Sequence, residues 1–168
     1  MAPAPAATGP SFTYDPQYAR EPFAIPFEAW QANYSMNVLG PMRLFKAVLP
    51  HLQQAGGGAF VAMSGIEALQ PRLPYVLGPN RLALHGFAEL LADRYGRDHI
   101  RVNCIAPGLM ANAAAAFRAD WVAQVPLGRH GELREVAGTV AYLLADDARY
   151  VTGQTIVIDG GVNRSTGL

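Results

Sequence analysis

IRVNCIAPG, residues 100–108, is the stretch on which the fold turns. Residues 100–106 form a short, nearly continuous apolar run, the pattern of a strand buried on both faces of a parallel sheet. Pro107-Gly108 ends it, since proline cannot donate to a ladder and glycine allows a sharp turn. Working upstream, Leu82, Phe87, Leu90, Leu91 and Tyr95 give an apolar helix face over 79–96. Pro79 suits the first helical position, where its missing N–H costs nothing. Before that comes GAFVAMS (58–64), a second short apolar run read as a buried strand. Residues 65–78 read as the connecting loop, with two prolines. Working downstream, residues 111–119 are Ala-rich and read as a helical flap, with Trp121 beside it. Leu133, Val136, Ala137, Val140, Leu143 and Leu144 mark a helix, and TGQTIVIDGG (152–161) a last strand between turn signals.

The N-terminal part divides in two. Trp30, Tyr34, Val38, Met42, Phe45, Leu49 and Leu52 recur every three or four residues, which predicts a long amphipathic helix over 27–54. Pro41 should kink it, and Gly56-Gly57-Gly58 stops it. Residues 1–26 are rich in Pro and Ala and read as an extended or disordered arm. Residues 27–168 then form one domain. Helices alternating with strands imply right-handed βαβ units and a parallel sheet. The expected class is α/β: a partial, Rossmann-like, doubly wound sheet with about three visible strands and flanking helices. With so few strands, strand 58–64 is expected to be an apolar edge needing cover.

Composition narrows the function classes. In 168 residues, Lys plus Arg and Asp plus Glu number 13 each, so no concentrated basic face points to nucleic acid. No apolar run is long enough to span a bilayer, and the N-terminus lacks the pattern of a signal peptide. Cys104 is the single cysteine, which excludes an internal disulfide and fits a cytoplasmic chain. The four histidines show no metal-ligand spacing, so no metal is expected. His85 reads as a packing residue, Cys104 as an inert buried thiol, and Asp159 as a turn residue.

Asn37 within NVLGP, the GAFVAMS run, IRVNCIAPG and YVTGQTIVIDGG (150–161), taken in this order, resemble the short-chain dehydrogenase/reductase family over roughly residues 27–162. The resemblance implies an NAD- or NADP-dependent oxidoreductase acting on a carbonyl or alcohol. It also implies pairing of subunits, as homo- or hetero-oligomer, through helices 27–54 and 79–96. Pro107 and Gly108 fall at the turn beside the nicotinamide amide. Asn37 falls at the position that supports a proton-relay water.

Other positions depart from the family pattern. The Gly-rich turn after a first strand, which lets the backbone approach a pyrophosphate, is not in the sequence. Gly56-Gly57-Gly58 precedes a strand and is not such a cradle. The domain is therefore read as truncated. In the family a Ser after the strand polarises the carbonyl, a Tyr transfers the proton, and a Lys four residues later lowers the Tyr pKa. Ser64 stands one place early, with Gly65 at the more usual Ser position. Tyr75 is the nearby Tyr, but Pro79 stands four residues on, and Arg81 is the nearest cation. Counting back from LALHGF (82–87) puts Arg81 at the Lys position and Leu77 at the Tyr position.

Three readings follow. The first is an oxidoreductase of the family, impaired as an isolated chain. The second is a non-catalytic remnant or oligomerisation partner of a full-length relative. The third is a cofactor-independent enzyme using Ser64, Tyr75 and Arg81, a set like that of the halohydrin dehalogenases, which would require these side chains to converge.

Overall fold

The computed structural model describes residues 21–71, 78–112 and 119–163. Residues 1–20 of the expected arm, Tyr75 and the Ala-rich 113–118 lie outside them. The described part of the arm is not extended throughout. Pro22–Ala24 form a 3-10 turn capped by Glu21, and Ile25 is buried against Ala29 and Trp30.

The helix expected over 27–54 is present but has three parts. α1 (Phe27–Tyr34) widens into a π-helical turn at Ser35–Leu39 before α2 (Gly40–Gln54). The Gly40 N–H reaches back five residues to the Ser35 carbonyl. Pro41 explains the widening. It has no N–H for the Asn37 carbonyl, its α-helical partner, and its ring would crowd that carbonyl in a regular helix. The expected kink is thus absorbed as one extra residue per turn. α2 ends where Gly57 N–H bonds Leu52 O, with Gly57 at φ +142. A Cβ there would lie 2.8 Å from the His99 side chain, so only glycine lets the chain pass this point.

β1 (Gly58–Met63), β2 (Ile100–Pro107) and β3 (Thr155–Ile158) form one parallel sheet in that order. β1 pairs with β2 from Gly58↔Ile100 to Met63↔Ile105, and β2 with β3 from Cys104↔Thr155 to Pro107↔Ile158. The crossovers are α3 (Gly78–Tyr95), beginning one residue before Pro79, and α5 (Leu133–Leu144). α5 opens with a reciprocal capping box between Glu132 and Glu135, which satisfies two of its free N-terminal donors. A four-residue helix, α4 (Ala119–Val122), follows the Ala-rich stretch.

Two cores lie on opposite faces of the sheet. On one, Phe45 of α2 and Leu84, Ala88 and Leu91 of α3 pack with Ala62, Val102 and Cys104. On the other, Val136 and Leu143 of α5 pack with Ile105, Met110 and Ile156. β2, covered on both faces and both sides, is almost wholly buried. β1 is only half-buried, which corrects the expectation of a buried strand. Its Gly58 N–H bonds His99 O and its end is tied by Ser64 N–H to Ile105 O. In a parallel ladder this turns the backbone groups of Ala59, Val61 and Met63 to the open side. Among the described residues no strand pairs there.

The centre of β2 also fixes the loop entering β3. Asn103, fully buried, donates to Val151 O and accepts from Gln154 N–H, both at 3.0 Å. Val102 N–H bonds the Thr152 hydroxyl, and Cys104 N–H bonds Gln154 O. Beside it, burial, with the Glu89 charge second, pushes the Cys104 thiol up to about 12. Among the described residues, no helix is long and apolar enough to cross a membrane, and no three His, Cys, Asp or Glu side chains gather as a metal site.

Candidate active site

The carboxyl ends of all three strands lie at one edge of the sheet, where ligands bind in open α/β folds. β1 leaves the sheet through Ser64 and Gly65 into a 3-10 turn at Ile66–Ala68. Ile66 and Ala68 are buried, and Glu67 stands between them. Helix α3 begins against this turn and brings Arg81 to Glu67 and His85 to Ser64.

Ser64 is held at three points. Its N–H bonds Ile105 O at 2.8 Å, its carbonyl accepts from Arg81 Nη1 at 2.9 Å, and its hydroxyl bonds His85 Nε2 at 2.7 Å. Both Ser64 and His85 are buried. The structure therefore brings Ser64 and Arg81 together, but through the Ser64 backbone. The hydroxyl expected to act in catalysis faces the interior, because His85, one helical turn beyond Arg81, claims it. Tyr75 lies outside the described residues, so the expected Ser64, Tyr75 and Arg81 set is represented by two members that meet in this way.

Arg81 also pairs with Glu67. Its Nη1 lies 3.2 Å from Glu67 Oε1, with both side chains largely buried. Arg81 Nε is buried and has no hydrogen-bond partner among the described residues. A buried donor left unpaired costs about 1–3 kcal/mol, a tension more common at functional sites than elsewhere.

Gly65 is extended, and a Cβ built on it would run into the Glu67 carboxylate, whose Oε1 and Cδ would lie 2.5 and 2.6 Å away. A Cβ on Gly78 would meet Glu67 O at 2.6 Å and its Cγ at 2.8 Å. Two glycines thus leave the space that Glu67 fills.

Asn37 lies in the π-helical turn, and its Nδ2 donates to Asn33 O at 3.0 Å. It makes no hydrogen bond to Ser64 or Arg81 among the described residues. The link to α3 runs through a neighbour. Asn80 Nδ2 donates to Trp30 O at 3.1 Å and to Asn33 Oδ1 at 3.2 Å. Pro107 ends β2. Gly108 N–H bonds Ile158 O at 2.9 Å, and a Cβ on Gly108 would lie 2.7 Å from that of Asp159. Asp159 itself caps the turn to β3's end, accepting from Gly161 N–H at 2.8 Å and from Asn163 N–H. A small cavity of about 100 Å³ beside it is bounded by Met110, Leu127 and Arg129, the last paired at 2.7 and 2.8 Å with the two oxygens of Glu135.

Glu67, Asn80 and the His85 contact were not anticipated from the sequence. The only prior signals were an acidic residue two places after Gly65 and a His four places after Arg81, on the same helix face.

Burial lowers the His85 pKa below 6.5, against a smaller pull upward from the Glu89 charge. The unfolded chain then takes up the proton first. Stability is therefore complete above about pH 6.5 and is lost as pH falls from there through the lower folded value. The His85 ring resonances should titrate with a midpoint below 6.5. Between about pH 7.5 and 5.5 the denaturation midpoint should fall, and His85→Gln should flatten that slope. A folded-state midpoint at or above 6.5 would contradict this account.

Comparison with known proteins reaches most of the chain. The profile of the family described as "Enoyl-(Acyl carrier protein) reductase" matches residues 13–163. An uncharacterised short-chain type dehydrogenase/reductase of Sinorhizobium fredii is 35% identical over 143 residues, covering 79% of this chain and 56% of the relative. Human dehydrogenase/reductase SDR family member 4 is 35% identical over 146 residues, covering 80% and 51%. A short-chain type dehydrogenase/reductase structure from Mycobacterium ulcerans superimposes with a TM-score of 0.75 at 35% identity, covering 82% and 53%. Acetoin dehydrogenase from Enterobacter cloacae does so with a TM-score of 0.75 at 27% identity, covering 87% and 61%. The chain spans about half the length of the curated relatives it matches.

Proposed function

The chain belongs to the short-chain dehydrogenase/reductase family, and from that premise we propose that it provides the substrate end of an NAD(P)-dependent oxidoreductase acting on a carbonyl or alcohol. The observation that carries the reading is the placement of Arg81. α3 delivers a guanidinium to the carboxyl end of β1, at the position where the family resemblance expects a lysine, beside the Ser64–Gly65 strand end. A guanidinium keeps its charge at all working pH values, so it can hold a hydroxyl or an anion here but cannot shuttle a proton.

The fit to a dinucleotide is partial. On this reading Pro107 and Gly108 form the turn beside the nicotinamide, and Arg81 would hold a ribose hydroxyl. Among the described residues no glycine-rich turn runs from a strand into a helix N-terminus, so the residues in hand fit the nicotinamide end and not the pyrophosphate. When bound, the nicotinamide would supply or accept the hydride. The part left to this chain's residues is to position the substrate with Arg81 and Glu67 and to keep the strand end rigid through Ser64 and His85. A cytoplasmic location belongs to the same proposal.

Subunit pairing also belongs here. α2 and α3 share an apolar groove of about 370 Å³ bounded by Met42, Phe45, Leu49, Phe87, Leu91 and Tyr95. Leu44, Leu82 and Leu90 on the same helices are exposed. We propose a second copy of this chain or a full-length relative as the occupant. The test is joint. Calorimetric titration with NADH and NADPH reads cofactor binding, and light scattering across micromolar concentrations reads association. Saturable binding below millimolar cofactor supports the oxidoreductase. A dimer without cofactor binding leaves the partner role alone, and a monomer that binds neither nucleotide overturns both.

A further inference from the structure

We propose that Glu67 is a specificity-determining residue of this site, selecting ligands that donate a hydrogen bond at the end of β1. The inference rests on the reading that substrate binds at this edge of the sheet.

The local sequence builds the feature. Ile66 and Ala68 bury themselves, the Ala68 N–H bonds Gly65 O, and the tight turn folds the Glu67 side chain back over residue 65. Gly65 supplies the room, and the carboxylate takes the volume that any side chain at 65 would use. Gly78 lets α3 press on the Glu67 backbone from the other side. Glu67 is thus not a solvated surface charge. It is wedged between two glycines and its side chain is only 12% exposed.

The two carboxylate oxygens are inequivalent. Oε1 faces Arg81. Oε2 accepts no hydrogen bond among the described residues and is the atom nearest the position of a residue-65 Cβ. Among the described residues, the group that can meet a ligand at this point is therefore the second carboxylate oxygen, with the first held by a guanidinium. A hydroxyl both donates and accepts, and can polarise a carbonyl oxygen. An ionised carboxylate only accepts, so it repels a carbonyl oxygen and rewards an alcohol or ammonium. The pair with Arg81 offsets its charge, so a neutral alcohol is favoured along with a cation. The ligand class is a small molecule bearing a hydroxyl or amine donor.

Cyclohexanol, cyclohexylammonium and cyclohexanone share size and shape and differ in this one respect. The intact chain is titrated with each at physiological salt while the amides of Gly65 and Glu67 and the Arg81 Nε–H are followed by NMR. The alcohol and the ammonium should move these signals with affinities at least about tenfold above the ketone, the scale of one hydrogen bond to a charged group. Glu67→Gln keeps the shape and adds an amide donor. It should weaken both donors by about tenfold and raise the affinity of the ketone. Equal affinities in the unaltered chain, an unchanged ranking in Glu67→Gln, or no shift at these residues with any of the three would overturn the proposal. The unaltered chain alone can decide against it, so the outcome does not hang on the variant folding. Cofactor binding with a flat ranking defeats this inference only, and a kept ranking without cofactor binding defeats the oxidoreductase reading only.

Discussion

Replacing Asn103 with alanine is expected to remove about 3 kcal/mol of folding stability, a large fraction of what a domain of this size has. The side chain sits at the centre of β2 with no exposure and makes both of its hydrogen bonds to backbone, at Val151 O and Gln154 N–H. Alanine takes the acceptor from Gln154 N–H and the closer of two donors from Val151 O, which keeps a long contact to Arg101 Nη1 at 3.5 Å, and it adds a void in the sheet centre. The loop they fix sets the register of β3, which pairs with β2 over only four residues. Urea denaturation should show a lower midpoint at an unchanged slope. Thr152→Ala, which removes one acceptor from the same loop, should cost about 1 kcal/mol. If the two variants lose equally little, the loop is not held in this way.

Leu84→Ala is expected to cost about 3 kcal/mol, within the usual range for a fully buried leucine. Leu84 packs with Phe45, Ala88 and Cys104 beneath the sheet. Leu84→Met, which conserves volume, should cost less than about 1.5 kcal/mol. The position also matters to the site. Leu84 lies between Arg81 and His85 in chain order, and its packing sets the height of α3 over the end of β1. The alanine variant should therefore also shift the titration midpoint of His85, because the burial that lowers it depends on this packing. A stability loss without any change at His85 would mean that the helix N-terminus is held independently, by Gly78 and Asn80.

The fold was legible because its determinants are local. The apolar run 100–106 could be read from the chain alone, and so could the face carried by Leu133, Val136, Val140 and Leu143, since strand and helix periods need no knowledge of partners. The edge position of β1 was expected from the strand count. Its half-buried state was not, because an apolar run reads alike whether one or both sides are paired. The π-helical turn escaped for a related reason. Val38 and Phe45 keep a helical face before and after it, so one wider turn leaves the spacing nearly unchanged. The site was legible in outline only. Ser64, Asn37 and Arg81 came from position along the chain; the structure joins Ser64 and Arg81 through the Ser64 carbonyl and turns Asn37 to Asn33 O. That the Ser64 hydroxyl belongs to His85, and the space at Gly65 to Glu67, depends on where three separate segments meet. Spacing within any one of them does not encode that.

The lone sulfur at the middle of β2 has a further use. Alkylating reagents attack thiolate, and the fold withholds it twice, by enclosing Cys104 and by keeping its proton on far above neutral pH. Modification must then wait until β2 separates from its helices, so the labelling rate counts excursions of the most buried of the described strands. The chain carries its own clock for global opening, with no engineered probe and no second thiol to confuse the reading.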